Sequence, residues 1–337
     1  MSAGPVGRLA PSPTGLLHLG HARSFLLAWW SARSRGGRVV LRLEDLDAQR
    51  CRDDYVDACL RDLEWLGLDW DGEPLRQSAD LEPYRAAVAR LLAEGAAYRC
   101  WCTRAEIAAV AAPQEGAREM RYPGICRDRG DPPADRPAGV RVRAPDAPVV
   151  VCDRAAGTAA FDVGGEVGDF LIQRRDGVYA YQLAVVVDDA RQGVTEVLRG
   201  VDLLPSAARQ QHLYGLLGLR VPVWFHVPLV HDESGRRLAK RRGAASLSAL
   251  RDGGVDPRAL VAWAARSAGQ ACDERATAGE VARHFDARAL PTTAHVLRSA
   301  EWSDVDRGPG APDREDSAHS APARFEGDRT GNPEGPG

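Results

Sequence analysis

A chain of 337 residues, 44% of them apolar, is long enough for about two packed domains. Its 27% charged residues, net charge of −3 and mean hydropathy of −0.32 exclude a mostly disordered or fibrous chain. No window approaches about 18 uninterrupted apolar residues, so no transmembrane helix is expected.

The opening MSAGPVGRLAPSPTG has neither the charged n-region nor the apolar h-region of a secretory signal. A cytoplasmic protein without membrane association is therefore expected, its seven cysteines serving as thiols or metal ligands rather than disulfides. Among 44 Lys and Arg residues a single lysine, Lys240, remains, and Asn332 is the single asparagine. Such a bias suggests that lysine was kept only where a compact ammonium is needed.

Val6 to Ala10 is a short apolar run, predicted to be a strand. Pro11-Ser12-Pro13-Thr14-Gly15 must turn. From Leu19 to Arg33 apolar residues recur at helical spacing, and Gly36-Gly37 ends the helix. Val39 to Leu43 is a buried-strand run, so the start predicts a parallel βαβ unit. Helices are expected at about 52–66 and 81–94. A cysteine-bearing stretch follows from Cys100 to Cys126, then short β-like runs at Val140–Val142 and Val149–Val151. Asp169 to Arg174, Tyr181 to Val187 and Trp224 to Val230 are predicted strands, with a helix around 205–217. Helices at about 257–268 and 278–286 close the ordered part. Beyond Ser303 eight acidic residues face four arginines with almost no large apolar residue, so this tail is expected to be disordered.

His18-Leu19-Gly20-His21 opens the first predicted helix. Free N–H groups and partial positive charge at a helix N-terminus suit phosphates. Imidazoles three residues apart share one face and could donate to phosphate oxygens, while Gly20 permits a close ring approach. Far along the chain, Gly235-Arg236-Arg237-Leu238-Ala239-Lys240-Arg241 is a basic loop holding the only lysine. Two surface histidines and a solvated basic loop are the plain alternatives. Cys100-Trp101-Cys102 with Cys126 suggests zinc, but three thiols leave the fourth ligand unassigned. Cys51, Cys59, Cys152 and Cys272 are scattered and expected to be buried thiols.

RLAPSPTGLLHLGHAR, LRLEDLD, YAYQLAVVVDDARQGVTEVLRGVDLL and RRLAKR together resemble the catalytic core of class I glutamyl-tRNA synthetases over about residues 6–290. The likeness is strongest to a short paralogous family that attaches glutamate to the queuosine base of tRNA(Asp). It implies a Rossmann-type α/β core with a zinc-binding insertion and a helical C-terminal part. The implied divisions are 1–97 and 166–235 for the two halves of the core, 98–165 for the insertion, 236–302 for the lysine loop and helices, and 303–337 for the tail.

The likeness also implies that Arg8, Leu9, Ala10, Pro11 and Ser12, with Glu44, Tyr181 and Arg199, bind glutamate. His18, Gly20, His21, Arg237 and Lys240 would bind Mg–ATP as substrate, with His18, His21 and Lys240 catalytic. Tyr122 would be the fourth zinc ligand, one zinc per chain. The implied partner is the anticodon stem-loop of tRNA(Asp), met by a monomer. Guanidinium forks at Arg8 and Arg199 suit a dicarboxylate. Glu44, Asp45 and Asp47 cannot be ranked by spacing. The lysine loop departs from the family at Arg237, usually Lys, and at Ala239, usually Ser. A truncated glutamyl-tRNA synthetase, a non-catalytic zinc and RNA-binding paralogue, and a nucleotidyltransferase acting on a small molecule are the competing readings.

Overall fold

A computed structural model describes residues 4–110, 120–236, 238, 246–298 and 301. In chain order the elements are β1 (Val6–Leu9), α1 (Leu19–Arg33), β2 (Arg38–Leu43), α2 (Asp53–Trp65), β3 (Leu75–Arg76), α3 (Glu82–Ala93), β4 (Ala97–Cys100), α4 (Arg104–Val110), β5 (Gly139–Val142), β6 (Val149–Asp153), β7 (Gly157–Phe161), α5 (Val163–Glu166) and β8 (Phe170–Gln173). They continue with α6 (Tyr181–Arg191), β9 (Glu196–Gly200), α7 (Leu204–Leu216), β10 (Val223–Val227), β11 (Val230–His231), α8 (Leu247–Asp252), α9 (Pro257–Ser267), α10 (Ala278–His284) and β12 (His295–Val296).

β1, α1 and β2 form the expected parallel unit, with Arg8 opposite Val40 and Leu9 opposite Leu41. β3 extends it beside β2. A second sheet runs β7-β6-β10-β9, with β10 parallel to both neighbours in that order. The two sheets meet where Thr195 N donates to Val6 O and Val6 N donates to Thr195 Oγ1, both at 2.9 Å. Gly37 lets the α1–β2 connection close, since a Cβ there would stand 2.2 Å from Pro5 O. β4, β5 and β8 make a separate antiparallel sheet. Strand pairing thus crosses the expected 98–165 segment: β5 pairs with β4 on one side and β8 on the other, whereas β6 and β7 join the sheet of β9 and β10.

One apolar core surrounds α1, with α9 and α10 packed over it. Trp30 is fully buried there and donates Nε1–H to Ala278 O at 3.0 Å. Emptying such a site costs roughly 3–5 kcal/mol. A second core joins α3, α6 and α7 to β5, β6 and β8.

Two expectations fail. Tyr181 to Val187 is not a strand but the first part of α6. Its valine run imitates a buried strand because Leu183 through Asp189 are all buried, which erases the one-sided pattern of an amphipathic helix. Cys152 is exposed, because strand alternation in β6 turns Val151 and Asp153 inward and Cys152 out. Of the other three scattered thiols, Cys59 is buried, and Cys51 and Cys272 are half-buried. The expected disordered tail from 303 to 337 lies outside the described residues. No helix among the described residues is long and apolar enough to cross a membrane.

Candidate active site

A cavity of about 760 Å³ opens at the carboxyl ends of β1 and β9, against the N-terminus of α1. Ligands in open α/β sheets bind at such strand ends. Arg8, Ala10, Pro11, Ser12, His18, Gly20, His21, Glu44, Tyr181 and Arg199 all line it. Leu9 does not: alternation along β1 sends it into the core while Arg8 and Ala10 face the cavity.

Glu44, Asp45 and Asp47 separate clearly in space. Glu44 faces the cavity and accepts from Arg42 Nη2 at 3.3 Å and Ser12 Oγ at 3.3 Å. Asp45 is buried and accepts from Ser78 N and Oγ and Arg76 Nε. Asp47 sits at the surface beside Arg50. Burial pushes the Glu44 carboxyl up, against the pull of Arg42 and Arg8. Burial also works against the Arg42 charge, but Asp189 at 2.8 Å and Glu44 more than restore it.

Arg8 is buried and donates through Nη1 to Leu198 O at 2.9 Å, so it ties β1 to β9. Its Nε has no hydrogen-bond partner among the described residues, and Asp189 stands 3.9 Å away. Burial lowers its pKa; Asp189 opposes the change, and Arg199 and Arg42 add to it. A buried cation this poorly matched suits an incoming anion.

His18 is the N-cap of α1 and His21 is its third residue. His18 Nδ1 accepts from Gly20 N at 3.1 Å, and His21 Nδ1 accepts from His18 N at 3.2 Å. The two histidines thus close a capping box in which Ser/Thr and Glu/Gln are usual. Accepting at Nδ1 leaves Nε2 as the N–H donor of each neutral ring. The rings lie 3.8 Å apart between centroids. Gly20 matters because a Cβ there would stand 3.0 Å from His18 Cε1.

Arg199 is held from several directions. Nε donates to His226 Nε2 at 2.9 Å, Nη1 to Tyr181 OH at 3.2 Å, and Nη2 to Gln210 Oε1 at 2.8 Å and Leu203 O at 3.4 Å. His226 Nδ1 in turn donates to Asp153 Oδ2 at 2.6 Å. Sequence reasoning missed Asp153 and His226. The one signal was an isolated histidine inside the apolar run Trp224–Val227.

The three thiols of Cys100, Cys102 and Cys126 lie within 4.8 Å of one another. Tyr122 OH is 3.4 Å from Cys100 Sγ and 3.7 Å from Cys102 Sγ, and accepts from Cys126 N at 2.8 Å. Four ligands on a tetrahedron with bonds of about 2.3 Å stand about 3.8 Å apart, so these four side chains fit one metal ion. Arg141 covers the Tyr122 ring at 3.8 Å and donates to Cys100 Sγ at 3.3 Å. Arg237, Ala239 and Lys240 lie outside the described residues. Leu238, between them, lines the cavity wall.

The family model for tRNA synthetases class I (E and Q), catalytic domain, matches residues 6–305. A glutamyl-Q tRNA(Asp) synthetase of Geobacter sulfurreducens is 46% identical over 297 residues, covering 86% of this chain and 94% of that one. A glutamate–tRNA ligase of the same organism is 47% identical over 262 residues, covering 77% of this chain but 56% of that one. The crystal structure of a glutamate tRNA ligase from Elizabethkingia meningosepticum, in complex with its amino acid, superposes with a TM-score of 0.77 at 25% identity. It covers 88% of this chain and 68% of that one.

Proposed function

The chain belongs to the class I tRNA synthetase (E and Q) family, in its glutamyl-Q tRNA(Asp) synthetase branch, and we propose that it activates glutamate with ATP and transfers it to the queuosine base of tRNA(Asp). The observation that carries this is a pair of buried arginines, Arg8 and Arg199, with the carboxyl of Glu44 around one cavity beside His18 and His21. That charge pattern fits an amino acid with one ammonium and two carboxylates.

In the first step an α-carboxylate oxygen of glutamate attacks the α-phosphorus of Mg–ATP. The bond from that phosphorus to its bridging oxygen breaks, and pyrophosphate leaves with the electron pair. Glu44 receives the α-ammonium, while Arg8, Tyr181 and Arg199 hold the side-chain carboxylate. Ala10, Pro11 and Ser12 shape the wall between them. His18 and His21 donate Nε2–H to phosphate oxygens as negative charge grows, and Lys240, with Arg237, follows the triphosphate. In the second step a hydroxyl of the modified base attacks the adenylate carbonyl, and AMP leaves as the ester forms.

Cys100, Cys102, Cys126 and Tyr122 would hold one zinc, supplying a structural cross-link rather than reaction chemistry. The partner is the anticodon stem-loop of tRNA(Asp), and the protein works as a cytoplasmic monomer away from membranes.

Pyrophosphate exchange with glutamate tests the first step and is expected without tRNA. Exchange that needs tRNA rejects the reading. Labelled glutamate should then reach only tRNA(Asp) bearing queuosine. Label on the 3′ end instead would point to a truncated glutamate–tRNA ligase.

A further inference from the structure

Arg199 presents five N–H donors in a fixed plane. Four are committed within the protein: one to His226, one to Tyr181, one to Gln210 and one to Leu203. The fifth, on Nη1, is left for the cavity that Arg199 lines. Tyr181 OH accepts from the same Nη1, so its own O–H is a second donor on that wall.

Of these four bonds, the one to His226 is made at Nε, next to the side-chain stem, where it sets the rotation of the plane together with the Nη2 bond to Gln210. Nε2 accepts from Arg199 only if it carries no proton. The proton is therefore on Nδ1, which donates to Asp153 Oδ2 at 2.6 Å. Asp153 is itself fixed by the backbone N–H groups of His226, Ala155 and Ala156. Burial, with the Arg199 charge beside it, pushes the His226 pKa down against the pull of Asp153. No carboxylate forms an ion pair with Arg199 among the described residues; Asp153 reaches it through one imidazole.

We propose that His226, locked in its Nδ1–H tautomer by Asp153, is a positioning residue that aims the last Arg199 N–H at the side-chain carboxylate of glutamate. This deepens the proposed function and rests on it.

Two near-isosteric variants separate the roles of the two ring nitrogens. His226→Gln keeps an acceptor near the Nε2 position; His226→Asn keeps a donor near Nδ1 but cannot reach Arg199. In pyrophosphate exchange on the full chain, His226→Asn should raise the KM for glutamate about 10- to 100-fold, the range for one lost bond to a charged group. The KM for ATP should stay within about twofold and kcat within about fivefold. His226→Gln should recover the glutamate KM to within about fivefold of the natural chain. His226→Leu, lacking both bonds, should rise at least as far as Asn and serves if Asn fails to fold. A merely structural histidine would affect both substrates together, or favour Asn over Gln; either result overturns the proposal. If the natural chain neither exchanges nor gains thermal stability with glutamate, the proposed function fails first. If it does both and His226→Asn matches it, only the positioning role fails.

Discussion

Gly20→Ala isolates the geometry of the paired histidines from the stability of the helix that carries them. The added Cβ would stand 3.0 Å from His18 Cε1 and 3.2 Å from Nδ1. Ordinary carbon contacts begin near 3.4 Å, so the ring must retreat by about 0.4 Å. Its retreat is limited by the His21 ring, whose centroid is 3.8 Å away. Two stability effects then oppose each other. Alanine gains up to about 1 kcal/mol over glycine within a helix. Disturbing the bond from Gly20 N to His18 Nδ1 costs about 1 kcal/mol, as for a lost N-cap. The midpoint of thermal unfolding should therefore move by no more than about 4 °C. Exchange should nonetheless fall about 10- to 100-fold, because catalytic donors tolerate only about 0.5 Å of displacement. The assay pairs scanning calorimetry with pyrophosphate exchange. In a His18→Ala background Gly20→Ala should cost almost nothing further, since the clash has lost its partner. Unchanged exchange in the single variant, or additive losses in the double, would refute the reasoning.

Three further outcomes are expected. Lys240→Arg should keep ATP binding but lose exchange by about 10²–10³, whereas Arg236→Lys, whose exposed side chain bonds only Ser234 among the described residues, should be nearly silent in the same assay. Metal analysis should find about one zinc per purified chain, and Cys102→Ser should lose it together with thermal stability. The Asp153 carboxyl is buried, yet His226 and nearby backbone N–H groups hold it down to about 2, against 3.8 when unfolded. A depressed folded-state pKa stabilises fully above the unfolded value and stops doing so as pH falls through about 2, a span of about 2 kcal/mol. Urea titrations between pH 5 and 2 should show a shallower acid loss in Asp153→Asn.

Much of the architecture is written locally and was legible. The α1 boundaries follow from apolar spacing and a glycine pair, and the observed helix runs over the expected Leu19–Arg33. The α6 run was not legible, because a helix buried on nearly all sides carries no amphipathic signature. Within the site, His18 and His21 lie three residues apart, so a single helical turn relates them. Glu44 could be ranked above Asp45 and Asp47 only once Asp45 was seen turned toward Ser78 and Arg76. The Asp153–His226 pair spans 73 residues and joins two strands that look like ordinary core. Nothing local marks such a pairing, since it depends on β10 returning to lie beside β6. Leu9 differs from its neighbours in that its side chain lies in the core, off the cavity lining. A contiguous motif was carried over whole, although a strand turns alternate residues to opposite sides.

The junction between β1 and β9 has a mechanical consequence. The two halves of the central sheet touch there through Val6 and Thr195 and through the Arg8 bond to Leu198 O, rather than along a continuous run of paired backbone. Arg8 stands on one side of that joint and Arg199 on the other. An anion gripped by both becomes a rivet across it. Occupancy would then stiffen the scaffold as well as fill the cavity, and the gain would grow with the logarithm of ligand concentration. Amide exchange in β1 and β9 should slow together when glutamate binds, although the two strands lie nearly two hundred residues apart in the chain.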